Sequence, residues 1–185
     1  MDEAKKLMRR DKDSLKPQIL DLARQAASLG DAKGAWIAGV MTYLGFGAAR
    51  NEQEALGHFI QAGDAGNDNA RMFGLFLLMQ YDQPAFCRQG KAWTDGMVNE
   101  NNKHGFALRA FYRGICQGEL GPSYLEAMKK SADMGSFAGH LGLQALYDSG
   151  NLVSKDAALA KQHGQTAKEL LVQDVKRMWD EAIAD

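Results

Sequence analysis

Three similar segments, each built around a glycine, recur along the chain and constrain its fold more than any other feature. They are 26–35, 62–71 and 131–140, and each has two small residues, two variable residues, a glycine, a small polar residue and a small residue four positions after the glycine. Gly30 and Gly66 are 36 residues apart. Gly66 and Gly135 are 69 apart, close to two such periods. This periodicity predicts a chain of repeated helical units.

The glycines are predicted to be the points where one helix ends and the next begins. A helix commonly ends at a left-handed residue, where glycine avoids a steric clash, and the Asp, Asn or Ser that follows each glycine is a good N-cap. The fourth junction is expected near position 102, since Asn tolerates a left-handed backbone, and this leaves the third repeat three residues short. The predicted turn residues are Gly30, Gly66, Asn102 and Gly135.

Composition supports helices and excludes several functions. The chain has 20 glycines but 3 prolines, is rich in alanine, and carries a net charge of −1. A near-neutral chain is not expected to bind nucleic acid, and no run approaches the roughly 18 apolar residues of a membrane span. Because the charged residues 1–13 lack the apolar core of a signal peptide, the default expectation is the cytoplasm. The periplasm is the alternative if a leader was removed.

A second set of marks lies within the repeats, where a helix closes on a loop that contains glycine. Examples are 43–47, 115–118 and 146–150, each followed by a capped second helix. With the junctions, these residues resemble Sel-one-like repeats, relatives of the tetratricopeptide repeats, over roughly 15–165. The segment 81–87 departs from the pattern, since it stands where Gly-x-Gly is expected. The matching positions are Ala35, Gly39, Tyr43, Gly45, Gly47, Ala55, Ala62 and Gly66, and then Ala138, Leu141, Gly142, Tyr147 and Gly150.

The resemblance implies an all-α fold, an α/α solenoid forming a right-handed superhelix of about four helical hairpins with N- and C-terminal capping helices. Residues 1–13 are expected to be a charged N-terminal segment and 14–165 the solenoid. Residues 166–185 are expected to be a C-terminal capping helix, from about Thr166 to Ala184. Ser14 is the expected N-cap of the opening helix, with Pro17 tolerated in its first turn.

Side chains on the inner face of such a stack are the predicted partner-binding site. The concave face of a solenoid usually binds partners; Trp, Tyr and Arg often dominate interface energies, and Met adapts to varied surfaces. Because the helical phase of short apolar runs is ambiguous, the same side chains could instead pack between helices. Trp36 and Tyr112 are the preferred anchors, and Leu141 is a weaker candidate. The predicted set is Trp36, Val40, Tyr43, Met72, Phe76, Met79, Leu108, Tyr112, Arg71, Arg109 and Arg113.

The cysteines and histidines are the remaining candidates for chemical sites. Cys87 is predicted in an irregular loop and Cys116 at a helix end, and neighbouring repeats could bring them close enough for a disulfide. The resemblance implies that exported bacterial relatives often carry disulfides, whereas a cytoplasmic chain would keep two free buried thiols. No histidine lies at metal-ligand spacing, and no nucleotide or hydrolase motif occurs. The chain is thus expected to have no catalytic residues, metal or cofactor.

The predicted function is protein binding by an adaptor or scaffold that is not an enzyme. The resemblance implies an adaptor or an assembly factor, and many proteins of this family are bacterial. A toxin-neutralising immunity protein is one narrower form of that role. An enzyme or small-molecule binder using the groove is the alternative from another class. A self-associating structural factor is a third hypothesis. The expected partner is a protein of unknown identity, without membrane insertion, and the chain itself is expected to be a monomer or weak homodimer.

Overall fold

The computed structural model describes the backbone of residues 2–182 and the side chains of residues 14–177. This part of the chain contains helices and turns and no strand. A short π-helical segment directly follows the sixth α-helix. The elements are α1 Asp2–Ser28, α2 Ala32–Leu44, α3 Glu52–Asp64, α4 Asp68–Tyr81, α5 Gln83–Asn99, α6 Gly105–Tyr112, the π-helical segment Arg113–Gln117, α7 Pro122–Asp133, α8 Phe137–Ser149 and α9 Ala157–Ala182.

The chain forms two compact units, and the boundary between them falls within α4, between Leu77 and Leu78. In the first unit α2 packs against both α1 and α3. In the second unit α6 packs against α5, α7 and α8, and α7 packs against α8. Each unit is described by itself below.

Four turns between helices share one backbone geometry. The left-handed residue is Gly30 (φ 90°), Gly66 (φ 99°), Asn101 (φ 53°) or Gly135 (φ 76°). At each turn its N–H donates to the carbonyl three residues earlier, and the next N–H donates to the carbonyl five residues before its own, at 2.8–3.1 Å. These paired bonds define the Schellman motif, which satisfies the last carbonyls of the finished helix. The repeat therefore comes from four copies of one helix stop.

The prediction that Asn102 is the left-handed turn residue is wrong by one position. The left-handed residue is Asn101, and Asn102 follows it in the turn before α6, where its Oδ1 accepts the N–H of His104 at 2.9 Å. The pair Asn101–Asn102 thus corresponds to Gly66–Asn67, whose Asn67 side chain accepts the N–H of Ala70 at 2.9 Å. Successive turns are then 36, 35 and 34 residues apart, so the three missing residues are divided between the second and third intervals.

Small residues follow the caps because the new helix begins against the end of the old one. A Cβ on Gly34 would lie 2.6 Å from the Cβ of Ala26, and one on Gly105 would lie 2.9 Å from the Cβ of Met97. Either contact is closer than two carbon atoms can approach without displacement. The small residue four positions after each left-handed residue is therefore set by packing.

Both ends of the helical region differ from the expected boundaries. The helix α1 begins at Asp2, so Ser14 lies inside it and is not its N-cap. Residues 2–13 contain no glycine and many strong helix formers, so nothing stops the helix from extending. The helix α9 runs unbroken through 165 and 166, because Gly164 packs against the Gln144 side chain instead of ending a helix. The predicted end of the closing helix at Ala184 lies outside the described residues.

The core of the first unit is an aromatic cluster. The rings of Trp36 and Tyr43 lie 5.7 and 6.2 Å from that of Phe59, and Phe59 lies 5.6 Å from Phe73. Gly39 makes room for the cluster, because a Cβ there would lie 2.7 Å from the Phe59 ring. Aromatic pairs at these separations add to the stability gained from burying their area.

Candidate functional site

A groove in the second unit is a candidate functional site. It encloses about 300 Å³ at a surface built from α5, α6 and the π-helical segment. Its walls are polar and aromatic and include three cationic side chains. The residues that line it are Lys91, Asp95, Arg109, Tyr112, Arg113 and Gln117.

A smaller cavity of about 120 Å³ adjoins the groove and shares Arg109 and Arg113 with it. Glu119 and Tyr124 form part of its other wall. Burial raises the pKa of Tyr124, so its phenol stays protonated and able to donate a hydrogen bond at neutral pH. Arg109 and Arg113 line both the groove and this cavity, so they lie where the two meet.

The cations of the groove differ in whether an acid already neutralises them. Lys91 Nζ lies 2.7 Å from Asp95 Oδ2, and the hydrogen bond to Asp95 raises the pKa of Lys91. Arg113 Nε lies 3.3 Å from Glu119 Oε2. Within the described residues, the half-buried Arg109 has neither a hydrogen bond nor an ion pair from its side chain. One positive charge thus remains uncompensated where the two cavities meet.

Tyr112 is fixed in the wall by close packing on α5. A Cβ on Gly90 would lie 2.9 Å from Cδ2 of Tyr112, so the ring uses the space that glycine leaves. The Nε2 of Gln117 donates to the Tyr112 hydroxyl at 3.4 Å, a long hydrogen bond. A half-exposed tyrosine held in this way offers a rigid apolar face with a polar tip.

The π-helical segment that bears Arg113 and Gln117 is joined to α5 by a disulfide. Cys87 lies in α5 and not in an irregular loop, because Asp82 caps that helix by accepting the N–H of Ala85 at 2.9 Å. Cys116 lies in the π-helical segment, and the Cα atoms of the two cysteines are 5.6 Å apart. Because the two sulfurs are bonded to each other, the alternative of two free buried thiols is not what the structure shows. Sequence reasoning missed the π-helical turn, for which the sequence carries no recognisable signal.

The predicted concave-face residues of the first unit are mostly interior. Trp36 is 5% exposed, Val40 2% and Met72 0%, so these three are core side chains and not a binding surface. Tyr43 and Phe76 are half-buried. For Trp36 and Val40 the correction follows from α2, which is apolar on nearly every face and packs between α1 and α3.

Arg71 also has a structural role in place of the predicted binding role. Its Nε donates to the carbonyl of Gly63 at 2.9 Å, and its Nη1 lies 3.1 Å from Asp68 Oδ1. A guanidinium placed on the last carbonyls of a helix satisfies free acceptors and complements the helix dipole. Arg71 therefore stabilises the end of α3.

The predicted residues of the second unit divide in the same way. Leu108 is 1% exposed and belongs to the core, which corrects its assignment to the binding face. Met79 is half-buried, and Leu141, the weaker candidate, is 39% exposed. Arg109, Tyr112 and Arg113 are brought together in the groove. Lys91, Asp95 and Gln117 complete the site and were missed, because they lie on an adjoining helix or beyond the predicted helix end.

A serine, a histidine and an aspartate also meet in the second unit. Ser136 Oγ is 2.7 Å from His104 Nδ1, and His104 Nε2 is 3.3 Å from Asp174 Oδ2 without the alignment of a hydrogen bond. All three side chains are buried, and Ser136 Oγ already accepts the N–H groups of Ala138 and Gly139. A nucleophile must reach its substrate, so this arrangement is structural.

The same cluster fixes α9 to two of the turns. Lys103 Nζ lies 2.8 Å from Asp174 Oδ1 and donates to the carbonyl of Gly135 at 3.2 Å. Burial by itself would raise the pKa of Asp174, but the contacts with His104 and Lys103 outweigh it and hold that pKa below its ordinary value. Burial lowers the pKa of His104, so its imidazole stays neutral. Asp174 therefore serves as a buried anion held by cationic and polar neighbours.

Two further features bear on function. Within residues 14–177, no group of three or more His, Cys, Asp or Glu side chains is arranged to hold a metal ion. Among the described helices, none combines the length and apolar character that crossing a bilayer requires.

The fold defines an all-α helical repeat protein. The chain is similar to a Sel1 repeat protein from Oxalobacter formigenes, with a TM-score of 0.52 over 81% of this chain and 63% of that one, at 18% identity. It also aligns with c5321, a protective antigen present in uropathogenic Escherichia coli strains displaying an SLR fold, with a TM-score of 0.44 over 90% of this chain and 44% of that one, at 18% identity.

The similarity to the Oxalobacter formigenes protein, together with the helices and turns of the described residues, confirms the predicted all-α repeat fold class. The chain has the Sel1-like repeat fold, and it spans less than two thirds of the length of either protein. No family model matches the sequence, and no curated protein matches it either.

Proposed function

We propose that this protein is a binding module that holds an acidic segment of a partner protein in the groove between α5, α6 and the π-helical segment. The observation that carries the proposal is Arg109, whose charge is uncompensated within the described residues where the two cavities meet. An arginine in a partly desolvated wall is suited to a carboxylate, which it can bind through two parallel hydrogen bonds.

The neighbours of Arg109 fit a peptide better than an isolated anion. Tyr112 offers a rigid ring beside the charge, and Tyr and Arg are among the residues that most often dominate binding energies. Lys91 and Arg113 already have acidic partners, so neither leaves a second free charge at the rim. The groove is therefore matched to one carboxylate flanked by apolar contact.

The alternative of an enzyme or a small-molecule site has less support. The groove volume of about 300 Å³ is at the lower limit of typical ligand pockets, and its lining is polar and not mainly apolar. No buried acid or base points into it, and the buried Ser–His–Asp cluster lies outside its lining. Nothing in the groove singles out a toxin as the partner.

Peptide selection with a matched arginine control tests the proposal. A displayed random peptide library is selected on the wild-type protein after depletion on Arg109→Gln, and the affinities of the selected peptides are then measured. A hydrogen bond to a charged group contributes about 1.5–3 kcal/mol, so Arg109→Gln should weaken binding at least about tenfold. The control is Arg88→Gln, an exposed arginine of α5 that lines neither cavity, and it should leave affinity unchanged.

The peptides themselves provide the second arm of that experiment. Exchanging Asp for Asn or Glu for Gln should abolish the preference for the wild-type protein, and amidating the peptide's C-terminus distinguishes a terminal carboxylate from a side chain. Raising the salt concentration should also weaken binding, because part of the attraction is electrostatic. Neutral selected peptides, or equal losses in both arginine variants, would remove Arg109 from the site.

We also propose that the chain functions in an oxidising compartment, such as the periplasm. The disulfide between Cys87 and Cys116 supports this, since structural disulfides persist in oxidising compartments and are rare in the cytosol. Trapping free thiols with a maleimide in intact cells of the native organism, before extraction, tests it. Two labelled cysteines in the folded protein would return the assignment to the cytoplasm.

A further inference from the structure

Two histidines on neighbouring helices of the second unit present the same ring nitrogen to each other. The Nδ1 atoms of His140 in α8 and His163 in α9 are 2.8 Å apart. Their ring centroids are 5.1 Å apart with planes inclined at 40°. Tyr147 stacks on the His163 ring at 5.6 Å with planes inclined at 3°, which fixes that imidazole. Both histidines are half-buried, so solvent reaches the pair.

The separation between the two nitrogens matches one coordination geometry. Imidazole nitrogens bind transition metals at about 2.0–2.1 Å. Two such bonds at right angles place the nitrogens about 2.9 Å apart, whereas the tetrahedral angle places them about 3.4 Å apart. The observed 2.8 Å therefore fits adjacent positions of a square-planar or octahedral ion.

We propose that His140 and His163 form a two-histidine site for a transition-metal ion of tetragonal geometry, Cu²⁺ above all, with water in the remaining positions. Imidazole is a good ligand for copper, nickel and zinc, and affinity for such ions is highest for Cu²⁺. Two protein ligands leave the site open, so it differs from the closed sites that structural zinc requires. The site is independent of the peptide groove.

Metal binding requires one proton of the pair to move. A histidine ligand binds through an unprotonated nitrogen of a neutral ring. Without metal, one Nδ1–H can donate to the other Nδ1. Binding of an ion requires that proton to move to Nε2 of the same ring, so that each Nδ1 has a lone pair for the metal.

Cu²⁺ titration of the full chain without a polyhistidine tag tests the site. The wild-type protein is expected to bind one Cu²⁺, with two equivalent nitrogen ligands in its electron paramagnetic resonance spectrum. His140→Gln and His163→Gln should each weaken binding at least tenfold, because each removes one of two ligands. The matched control is His58→Gln, since His58 is a half-buried histidine of α3 outside the pair, and it should bind like the wild type.

Each result decides the proposal. Melting curves without metal show whether the variants are folded, and the spectrum of the wild-type protein gives an answer that depends on no variant. A spectrum with a single nitrogen ligand, or a wild-type affinity equal to that of both pair variants, would reduce the pair to a hydrogen bond between helices. Tighter binding of Zn²⁺ than of Cu²⁺ would overturn the geometric argument.

Discussion

Reducing the disulfide between Cys87 and Cys116 should lower the stability of the second unit by an amount that the structure allows to be calculated. The bond closes a loop across a sequence separation of 29 residues and joins α5 to the π-helical segment. A cross-link stabilises a fold chiefly by restricting the unfolded chain. For a loop of this length the chain-entropy relation gives about 12 cal/mol/K, or about 3.6 kcal/mol at about 25 °C.

The assay is denaturant unfolding of the oxidised and the reduced, alkylated protein. The expected loss in the free energy of unfolding is about 2–4 kcal/mol, since measured values often fall below the entropic limit. The slope of the free energy against denaturant should rise on reduction, because the unfolded chain becomes more expanded. A change in midpoint alone, without a change in slope, would indicate a different cause.

The matched control is the double variant Cys87→Ser and Cys116→Ser. It should unfold with or without reductant at the midpoint of the reduced wild type, within the small cost of replacing two half-buried sulfurs. If oxidised and reduced wild-type proteins unfold together while a thiol assay shows that the bond has opened, the loop-closure reasoning is refuted. If the double variant also responds to reductant, the reductant acts elsewhere.

Two glycines and the histidines give further expectations. Gly66→Val should destabilise the protein by at least about 1 kcal/mol, because the φ of 99° at this position strains a β-branched residue. Gly57→Ala should stabilise the protein by about 0.5–1 kcal/mol, because Gly57 lies inside α3 with open space at its Cβ position. Melting temperatures equal to that of the wild type would contradict both expectations. Burial lowers the pKa of all four histidines, so the unfolded chain takes up protons that the folded chain does not. The melting temperature should therefore fall as the pH drops from about 7 through 6.5, and a flat profile would contradict this.

The sequence is most informative where a backbone requirement restricts residue identity. The Schellman turns at Gly30, Gly66 and Gly135 each need a left-handed residue, which glycine adopts most easily. The prediction displaces the junction at Asn101 by one residue because two adjacent asparagines occupy the left-handed position and the position that follows it, and either type of position accepts Asn. Counting from the cap would have resolved this, since Asn102 occupies the position of Asn67.

The predicted binding face illustrates the limit of helical periodicity. A helix with one apolar stripe reveals which side faces the core, but α2 is apolar around most of its circumference, so the pattern cannot distinguish interior from surface. Trp36 was therefore placed on a surface although it packs on Phe59 and Phe73. In α6 the charged residue Arg109 interrupts the apolar pattern, and that interruption identifies the exposed side on which the groove lies.

The histidine pair was missed for a different reason, which further sequence reasoning could have corrected. His140 and His163 are 23 residues apart, and neither forms a local motif. Both lie equally far along the chain from the middle of the turn that joins α8 to α9, near positions 151 and 152. Residues equally far from the turn of an antiparallel helical hairpin lie beside each other. The hydrogen bond from the N–H of Asp156 to the carbonyl of Tyr147 follows the same pairing closer to the turn. Once the turn within the repeat is located, pairing residues at equal distances on either side of it places the two imidazoles together. Metal-ligating pairs can therefore be sought in each predicted hairpin from residue spacing alone.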